Sequence, residues 1–285
     1  MPFQLKQIGR TFAAEATGID LRRPIDAPTR DAIEDALARY GVLAFRDQRL
    51  DDDQQQAFIQ MFGPPVVARI KELVTSHPHF LDIGTVDAQG RPIAEDSAQG
   101  MHMLANALWH TDGSQAQPPT RLTALHAREL PDDPPPTEYA DMRASWDALP
   151  PKRQARLAGL KAVHSIFWSR EQIGMKAEDF SPETRAEMKP VEHPLVRTHP
   201  RTGRQSLYLA SHASHIVGMP LEDGRALIQE LIAFATQPQF VYSYQWTPND
   251  LVMWDDRWTM HRATPYQRPQ PRKLRWCGVR ELEPV

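Results

Sequence analysis

The sequence lacks the features that mark secreted, membrane-spanning and nucleic-acid-binding proteins. Its 285 residues include one cysteine, which cannot form an internal disulfide, so a reducing, cytoplasmic compartment is expected. The N-terminal stretch MPFQLKQIGRTFAAE has no apolar signal-peptide core, and no apolar run is long enough to span a bilayer. With 33 basic and 36 acidic residues the net charge is −3, without the basic excess that nucleic-acid binding requires. We expect neither a membrane nor a nucleic-acid partner.

Proline, by contrast, is abundant, with 26 residues, which favours loops and strands over a helical bundle. Apolar residues at helical spacing predict helices at 28–41, 51–63, 143–160 and 220–237. Strands are predicted at 16–21, 42–50, 121–130, 137–142, 205–210, 239–246, 250–258 and 273–282. Residues 64–105 are expected to form long loops, and 170–190 to be irregular. The pattern predicts one domain, mainly β with flanking helices (α+β).

Two of the 11 histidines, together with one aspartate, combine the residue types of an iron site. His110 and Asp112 lie in WHTDGS, and an i, i+2 pair on an extended segment points both side chains to one face. His261 lies far downstream in WDDRWTMHRATP. Two neutral imidazoles and one carboxylate on one face leave open positions in an octahedral Fe(II) shell, as oxygen-activating enzymes need. A His-x-Asp pair alone is common by chance, so the surrounding sequence has to decide.

That surrounding sequence resembles a known family. The ordered matches are ATGIDL, YGVLAFRDQRL, MFGP, NALWHTD, TEYADMRASWDALP, HPLVRTH, SHASHIVGMPLEDGRALIQEL, FVYSYQW and NDLVMWDDRWTMHR. They resemble the Fe(II)/2-oxoglutarate dioxygenases of the taurine dioxygenase group, and within it the bacterial 2,4-dichlorophenoxyacetate dioxygenase branch. The resemblance implies a double-stranded β-helix, a cupin-like jelly roll. It also implies one catalytic domain over 1–285, with a helical and loop insertion at about 143–235.

The resemblance assigns candidate roles to individual residues. It implies Fe(II) ligation by His110, Asp112 and His261, and binding of the 2-oxoglutarate distal carboxylate by Thr137 and Arg272. A guanidinium fork and a hydroxyl suit that carboxylate. The implied substrate-binding positions are Asn106, Lys71, Trp254 and Trp276. Trp254 could equally be a structural residue of the core. Lys71 could equally be a solvated lysine on the surface. His199, His212 and His215 also match the branch, either as substrate contacts or as buried structural histidines.

The chain departs from the family pattern at Trp276, where relatives carry an arginine that grips the substrate's anionic group. Loss of that guanidinium removes a charged hydrogen bond worth about 1.5–3 kcal/mol. The substrate is therefore expected to be neutral, aromatic or differently oriented. Arg275 is adjacent, but neighbouring strand residues face opposite sides, so it is a poor replacement. Gln115 and the run Pro134, Pro135 and Pro136 also differ from the usual residues.

These residues predict an oxygenase that uses O2 and 2-oxoglutarate to hydroxylate a small organic substrate, aromatic or carboxylate-bearing, with release of succinate and CO2. Hydroxylation beside an ether oxygen would also cleave the ether. Two alternatives remain open: desaturation or cyclisation with the same cofactors, and a non-catalytic jelly roll that binds metal or 2-oxoglutarate. Family members form dimers or tetramers, so a homo-oligomer is expected.

Overall fold

The architecture comes from a computed structural model that describes residues 3–67, 77–87, 89–265 and 270–282. The strands are β1 (Gln4–Gln7), β2 (Ala14–Thr17), β3 (Val42–Phe45), β4 (Leu81–Gly84), β5 (Thr120–Glu129), β6 (Thr137–Asp141), β7 (Lys161–His164), β8 (Val191–Pro194), β9 (Val196–Thr198), β10 (Gln205–Leu207), β11 (Ala213–Ile216), β12 (Val241–Tyr244), β13 (Leu251–Asp255), β14 (Thr259–Ala263) and β15 (Lys273–Arg280). The helices are α1 (Ala27–Tyr40), α2 (Asp52–Gln60), α3 (Ala98–Ala105), α4 (Met142–Asp147), α5 (Pro151–Leu157), α6 (Ile166–Glu171), α7 (Pro182–Glu187) and α8 (Leu221–Ala235).

Two facing sheets form the jelly roll. The larger sheet has the order β1-β2-β3-β13-β5-β15-β4, and the smaller has the order β12-β6-β14. The layer between them includes Tyr139 of the small sheet and Trp254 of the large one, whose ring centroids lie 5.3 Å apart. The chain is therefore mainly β with flanking helices, and the predicted double-stranded β-helix is confirmed.

Strand alternation sends neighbouring residues of the large sheet to different cores. On β13, Val252 and Trp254 belong to the core between the sheets, whereas Leu251 and Met253 belong to the core beneath the helices. Successive side chains of a strand point to opposite faces, so a strand buried on both faces is apolar throughout. The same rule on β15 places Trp276 inside the roll and Cys277 on the helix side.

Two capped helices cover the outer face of the large sheet. The α1 helix starts at Asp26, whose carboxylate accepts a 2.9 Å hydrogen bond from the Thr29 backbone N–H, and it ends at Gly41 in a positive-φ conformation (75°). The α2 helix starts with a capping box between Asp51 and Gln54. Each N-cap side chain satisfies one terminal N–H group of its helix, and the Gly41 N–H donates to the Leu37 carbonyl at the end of α1. The apolar faces of the helices can then bury against β3 and β13.

The segment between β6 and β12 forms two further sheets. One has three strands in the order β11-β7-β8, and the other pairs β10 with β9. The α8 helix lays its apolar face, including Ile228 and Leu231, on the cluster that contains Ile216 of β11. The predicted helix at 143–160 divides into α4 and α5 at the Pro-Pro pair, as the sequence indicates.

The prediction of long loops over 64–105 was wrong in part, because the described residues there include β4 and α3. The β4 strand is four residues long and exists through its pairing with β15, for example Ile83 with Leu274. A pairing between positions this far apart leaves no local sequence signal. In the described part of the chain, no helix is both long and apolar enough to cross a membrane.

Candidate metal centre and substrate pocket

A contact between two extended segments brings three candidate metal ligands together. His110 forms an antiparallel bridge with His261 of β14, with reciprocal N–H···O distances of 2.9 and 2.8 Å. Asp112 lies beside both, with Oδ1 3.5 Å from His110 Nε2 and Oδ2 3.9 Å from His261 Nε2. One donor atom from each residue can be chosen so that all lie within 4.8 Å of one another. Two imidazoles and one carboxylate on one side are a donor set that fits Fe(II).

The two imidazoles are held in the form that binds metal. The His110 Nδ1–H donates to the Leu108 carbonyl at 2.7 Å, which leaves the Nε2 lone pair for a metal. Burial lowers the pKa of His110, although the Asp112 charge opposes the shift. Burial, assisted by His110, lowers the pKa of His261 to about 3. Both rings are therefore neutral at pH 7, as ligation requires.

Trp276 of β15 contacts the candidate ligand carboxylate directly. Its indole Nε1–H donates a hydrogen bond of 2.8 Å to Asp112 Oδ2, and its ring lines the pocket. An indole has a single polar hydrogen, and here that hydrogen is used by Asp112. The residue predicted as a substrate contact therefore also orients the carboxylate, and its N–H is not available to an anion.

A second buried layer holds the backbone of Asp112 in place. Asp256 Oδ1 accepts from the Asp112 backbone N–H at 3.1 Å and from Trp254 Nε1 at 3.0 Å, and its Oδ2 accepts from Thr123 Oγ1 at 2.7 Å. Trp254 has no exposed surface, and its ring centroid lies 4.6 Å from that of His261. The predicted aromatic wall is thus one layer behind the pocket surface, against the ligands.

The predicted 2-oxoglutarate residues line the same pocket as the three candidate metal ligands. Thr137 begins β6 and is buried, and its Oγ1 accepts from Trp246 Nε1 at 3.0 Å. That bond leaves the hydroxyl proton of Thr137 to be donated elsewhere. Arg272 is also buried, and its backbone N–H donates to Thr85 Oγ1 at 3.0 Å, just before β15. A guanidinium and a hydroxyl on one pocket can bind a carboxylate.

The other predicted positions are placed as follows. Asn106 caps the end of α3 and lines the pocket, and its carbonyl accepts from the Ala263 N–H at 2.7 Å. Lys71 lies outside the described residues. Arg275 faces the helix side, where it donates to Asp82 and Asp52 at 2.6 Å each, so the expectation that it does not replace the missing arginine is confirmed.

Sequence reasoning missed one wall of the pocket. Arg170 of α6 and His102 of α3 line it, together with His212. The sequence had left His212 as either a substrate contact or a buried structural histidine. Nothing in SIFWSREQIG separates Arg170 from a surface arginine, and His102 falls in a segment expected to be loop. His199, by contrast, is not among the pocket-lining residues; it stacks on Trp258 with ring centroids 3.6 Å apart.

Comparison with known protein families and sequences gives a consistent picture. The profile described as "Taurine catabolism dioxygenase TauD, TfdA family" matches residues 4–277. The chain is 41% identical to the alpha-ketoglutarate-dependent 2,4-dichlorophenoxyacetate dioxygenase of Cupriavidus pinatubonensis, over 93% of each protein. It is 33% identical to the (S)-phenoxypropionate/alpha-ketoglutarate-dioxygenase of Sphingobium herbicidovorans, over 95% of this chain and 92% of that one.

The solved structures give the same fold. The structure described as AAD-2 in complex with Mn(II) and N-oxalylglycine superposes with a TM-score of 0.91 and 38% identity, covering 100% of this chain and 98% of that chain. A taurine dioxygenase from Burkholderia xenovorans superposes with a TM-score of 0.80 and 28% identity, covering 100% of this chain and 91% of that one. The likeness therefore extends over the whole chain.

Proposed function

We infer the reaction of this protein from the family to which the chain belongs, the taurine catabolism dioxygenase TauD, TfdA family. The protein is an Fe(II)- and 2-oxoglutarate-dependent dioxygenase that hydroxylates a small organic substrate. We propose that this substrate is an aromatic molecule with an anionic group, of the aryloxy-acid type. Relatives named for phenoxy acids support that class. Hydroxylation of the carbon beside the ether oxygen then also cleaves the ether.

The observation that carries the proposed reaction is the clustering of three candidate metal ligands within 4.8 Å, at a pocket that Thr137 and Arg272 also line. These three candidate ligands are His110, Asp112 and His261. We assign these three residues to Fe(II), and Thr137 and Arg272 to the distal carboxylate of 2-oxoglutarate. When bound, these two groups and O2 supply the oxidising chemistry, in which one oxygen atom enters the substrate and the other enters succinate, with loss of CO2.

The residues of the chain orient and shield this chemistry. Leu108 fixes the ring of His110 through its carbonyl, and Trp276 fixes the carboxylate of Asp112, so the candidate ligands need little rearrangement when a metal binds. Pocket residues such as Leu81, Ile83 and Leu274 present apolar surface. Such surface limits water around the reacting groups and gives an aromatic ring a place to bind.

Three wider proposals accompany the reaction. We propose one catalytic domain over residues 1–285, with about 143–235 inserted into the jelly roll. We propose a cytoplasmic location, because the single cysteine is free and buried and needs no oxidising compartment. We also propose a homo-oligomer, a dimer or tetramer, which light scattering on the purified protein would measure.

A succinate-release screen tests the substrate class. Purified protein with Fe(II), ascorbate and 2-oxoglutarate would be given phenoxyacetates, phenoxypropionates, taurine, alkyl sulfates and neutral aryl ethers. We expect the aryloxy acids to stimulate succinate formation most, with a phenol as the second product. Greater stimulation by a sulfonate or a sulfate would contradict the proposed class. Product mass would separate hydroxylation from desaturation or cyclisation.

A further inference from the structure

Arg170 is a buried cation on the wall of the pocket. It comes from a helix, whereas Trp276 reaches the same pocket from the strand β15. It belongs to α6, where the Ser165 hydroxyl accepts from the backbone N–H of Trp168. Its side chain lines the pocket, although the residue is only 5% exposed. It lines the same pocket as the candidate metal ligands His110 and His261.

In the described part of the chain, both side-chain hydrogen bonds of Arg170 are with neutral groups. Its Nη1 donates to Ser169 Oγ at 3.2 Å, and its Nη2 donates to His102 Nδ1 at 2.6 Å. These bonds engage two of the five N–H donors of a guanidinium group. Among the residues that the structure describes, no carboxylate forms an ion pair with it. Burial lowers the pKa of Arg170 to about 10, so the group stays charged at pH 7.

Three other buried arginines of the described chain are each neutralised by a carboxylate. Arg143 pairs with Asp141 at 2.9 Å, Arg197 with Glu281 at 2.7 Å and Arg257 with Asp255 at 2.6 Å. A buried charge is costly unless it is paired and hydrogen-bonded. Arg170 lines a pocket and has no such carboxylate partner among the described residues. This indicates that its counterion is a bound ligand.

The neighbours of Arg170 suit an oxyanion. A guanidinium only donates, so His102 must accept at Nδ1 and carry its proton on Nε2, as a neutral ring with a donor still available. Burial, together with the Arg170 charge, lowers the pKa of His102 well below its usual value, so that ring stays neutral. The Ser211 hydroxyl, 2.9 Å from Ser169 Oγ, also belongs to this wall. The wall thus offers one cation and several donors, and its described residues include no carboxylate.

We propose that Arg170, with His102 and Ser211 beside it, binds the anionic group of the substrate, a carboxylate or a similar oxyanion. The anion would then lie on the α6 wall and not on β15, where Trp276 is engaged by Asp112. This assignment deepens the proposed function and rests on it, because it names how the same pocket recognises an aryloxy acid. A bidentate guanidinium–carboxylate pair fixes one end of the substrate and thereby the carbon that is presented to the metal.

Arg280 provides the competing assignment. It also lines the pocket, and it lies on β15 four residues after Trp276. It is more exposed than Arg170, being half-buried. An anion held by Arg280 would lie along β15, so the two arginines place the substrate differently and can be separated by matched variants.

The test compares Arg170→Gln, Arg170→Lys and Arg280→Gln with the wild type, after thermal melting has shown that each is folded. The substrates are phenoxyacetate and its uncharged counterpart phenoxyacetamide. We expect Arg170→Gln to raise the phenoxyacetate KM about ten- to a hundredfold and to change the phenoxyacetamide KM little. The phenoxyacetate KM of Arg170→Lys should lie between those of the wild type and Arg170→Gln. The KM for 2-oxoglutarate should not change in any of these variants. Equal loss for acid and amide, or a larger acid-specific loss in Arg280→Gln, would overturn the assignment.

A binding titration separates this proposal from the proposed function. Phenoxyacetate is titrated without O2 into protein that holds Mn(II) and 2-oxoglutarate. Binding that weakens in Arg170→Gln supports the anion subsite even if turnover is absent, in which case the proposed reaction fails alone. Binding to the wild type and Arg170→Gln with equal affinity, or no binding of phenoxyacetate to the wild type, would overturn the subsite.

Discussion

The indole of Trp276 donates a 2.8 Å hydrogen bond to Oδ2 of Asp112. The two residues are 164 positions apart in the chain, and β15 brings them together because its alternating side chains place Trp276 inside the roll. Where relatives are expected to hold the charge of their substrate, this protein holds the carboxylate of a candidate metal ligand. The anion of the proposed aryloxy-acid substrate must then be recognised elsewhere in the pocket.

Replacing Trp276 with Phe keeps an aromatic ring and removes the hydrogen-bond donor. Loss of a residue that orients a metal ligand commonly costs about 10- to 100-fold in metal affinity or activity, so we expect the Mn(II) dissociation constant of Trp276→Phe to rise by about tenfold. Calorimetric titration of Mn(II) into metal-free protein measures it.

The matched control for that variant is Trp246→Phe, which removes an indole donor from Thr137 instead of from Asp112. It should leave the Mn(II) affinity near that of the wild type and raise the KM for 2-oxoglutarate. Unchanged Mn(II) binding in Trp276→Phe would show that the indole does not orient the metal ligand.

Arg272→Gln should impair 2-oxoglutarate binding. A charged hydrogen bond to a carboxylate is worth about 1.5–3 kcal/mol, so we expect a KM for 2-oxoglutarate that is about ten- to a hundredfold higher. Arg275→Gln is the matched control on the same strand, because Arg275 bonds Asp82 and Asp52 on the other face. Steady-state succinate release at varied 2-oxoglutarate gives both values, and similar KM increases in the two variants would remove Arg272 from its assigned role.

His126 should make stability depend on pH. Burial, with help from Arg128, lowers the pKa of His126 to about 4, whereas an unfolded histidine titrates near 6.5. Between these pH values the unfolded chain binds a proton that the folded chain does not. The free energy of unfolding is therefore unaffected by the titration of His126 above about pH 6.5 and decreases as the pH falls towards 4. The contribution to the slope is at most about 1.4 kcal/mol per pH unit.

Urea unfolding of metal-free wild type and His126→Gln between pH 4.5 and 7.5 measures that slope. The variant should lose less stability on acidification, although some dependence remains because burial also lowers the pKa of His193 to about 4. Parallel curves for the two proteins would show that His126 does not titrate as its burial implies.

The sequence predicted the parts of the site that depend on local spacing or on shared motifs. Strand alternation predicted that His110 and Asp112 face one side, although the structure places Asp112 in the turn that follows the His110 bridge. His261 was grouped with them by residue type, and the family resemblance supported that grouping. The Trp276–Asp112 bond and the placement of Arg170 depend on which faces of β15 and α6 pack around the pocket. Tertiary packing of that kind has no local signal, as the unpredicted β4 and α3 also show.

The most direct test of the whole account is 2-oxoglutarate-dependent succinate formation by the wild type and by His110→Ala, measured with the same Fe(II) concentrations and with phenoxyacetate present. The account predicts succinate from the wild type that rises with Fe(II), and none above background from His110→Ala, whose thermal melt should still show a folded protein. No succinate from the wild type at any Fe(II) concentration, or equal succinate from the two proteins, would contradict it.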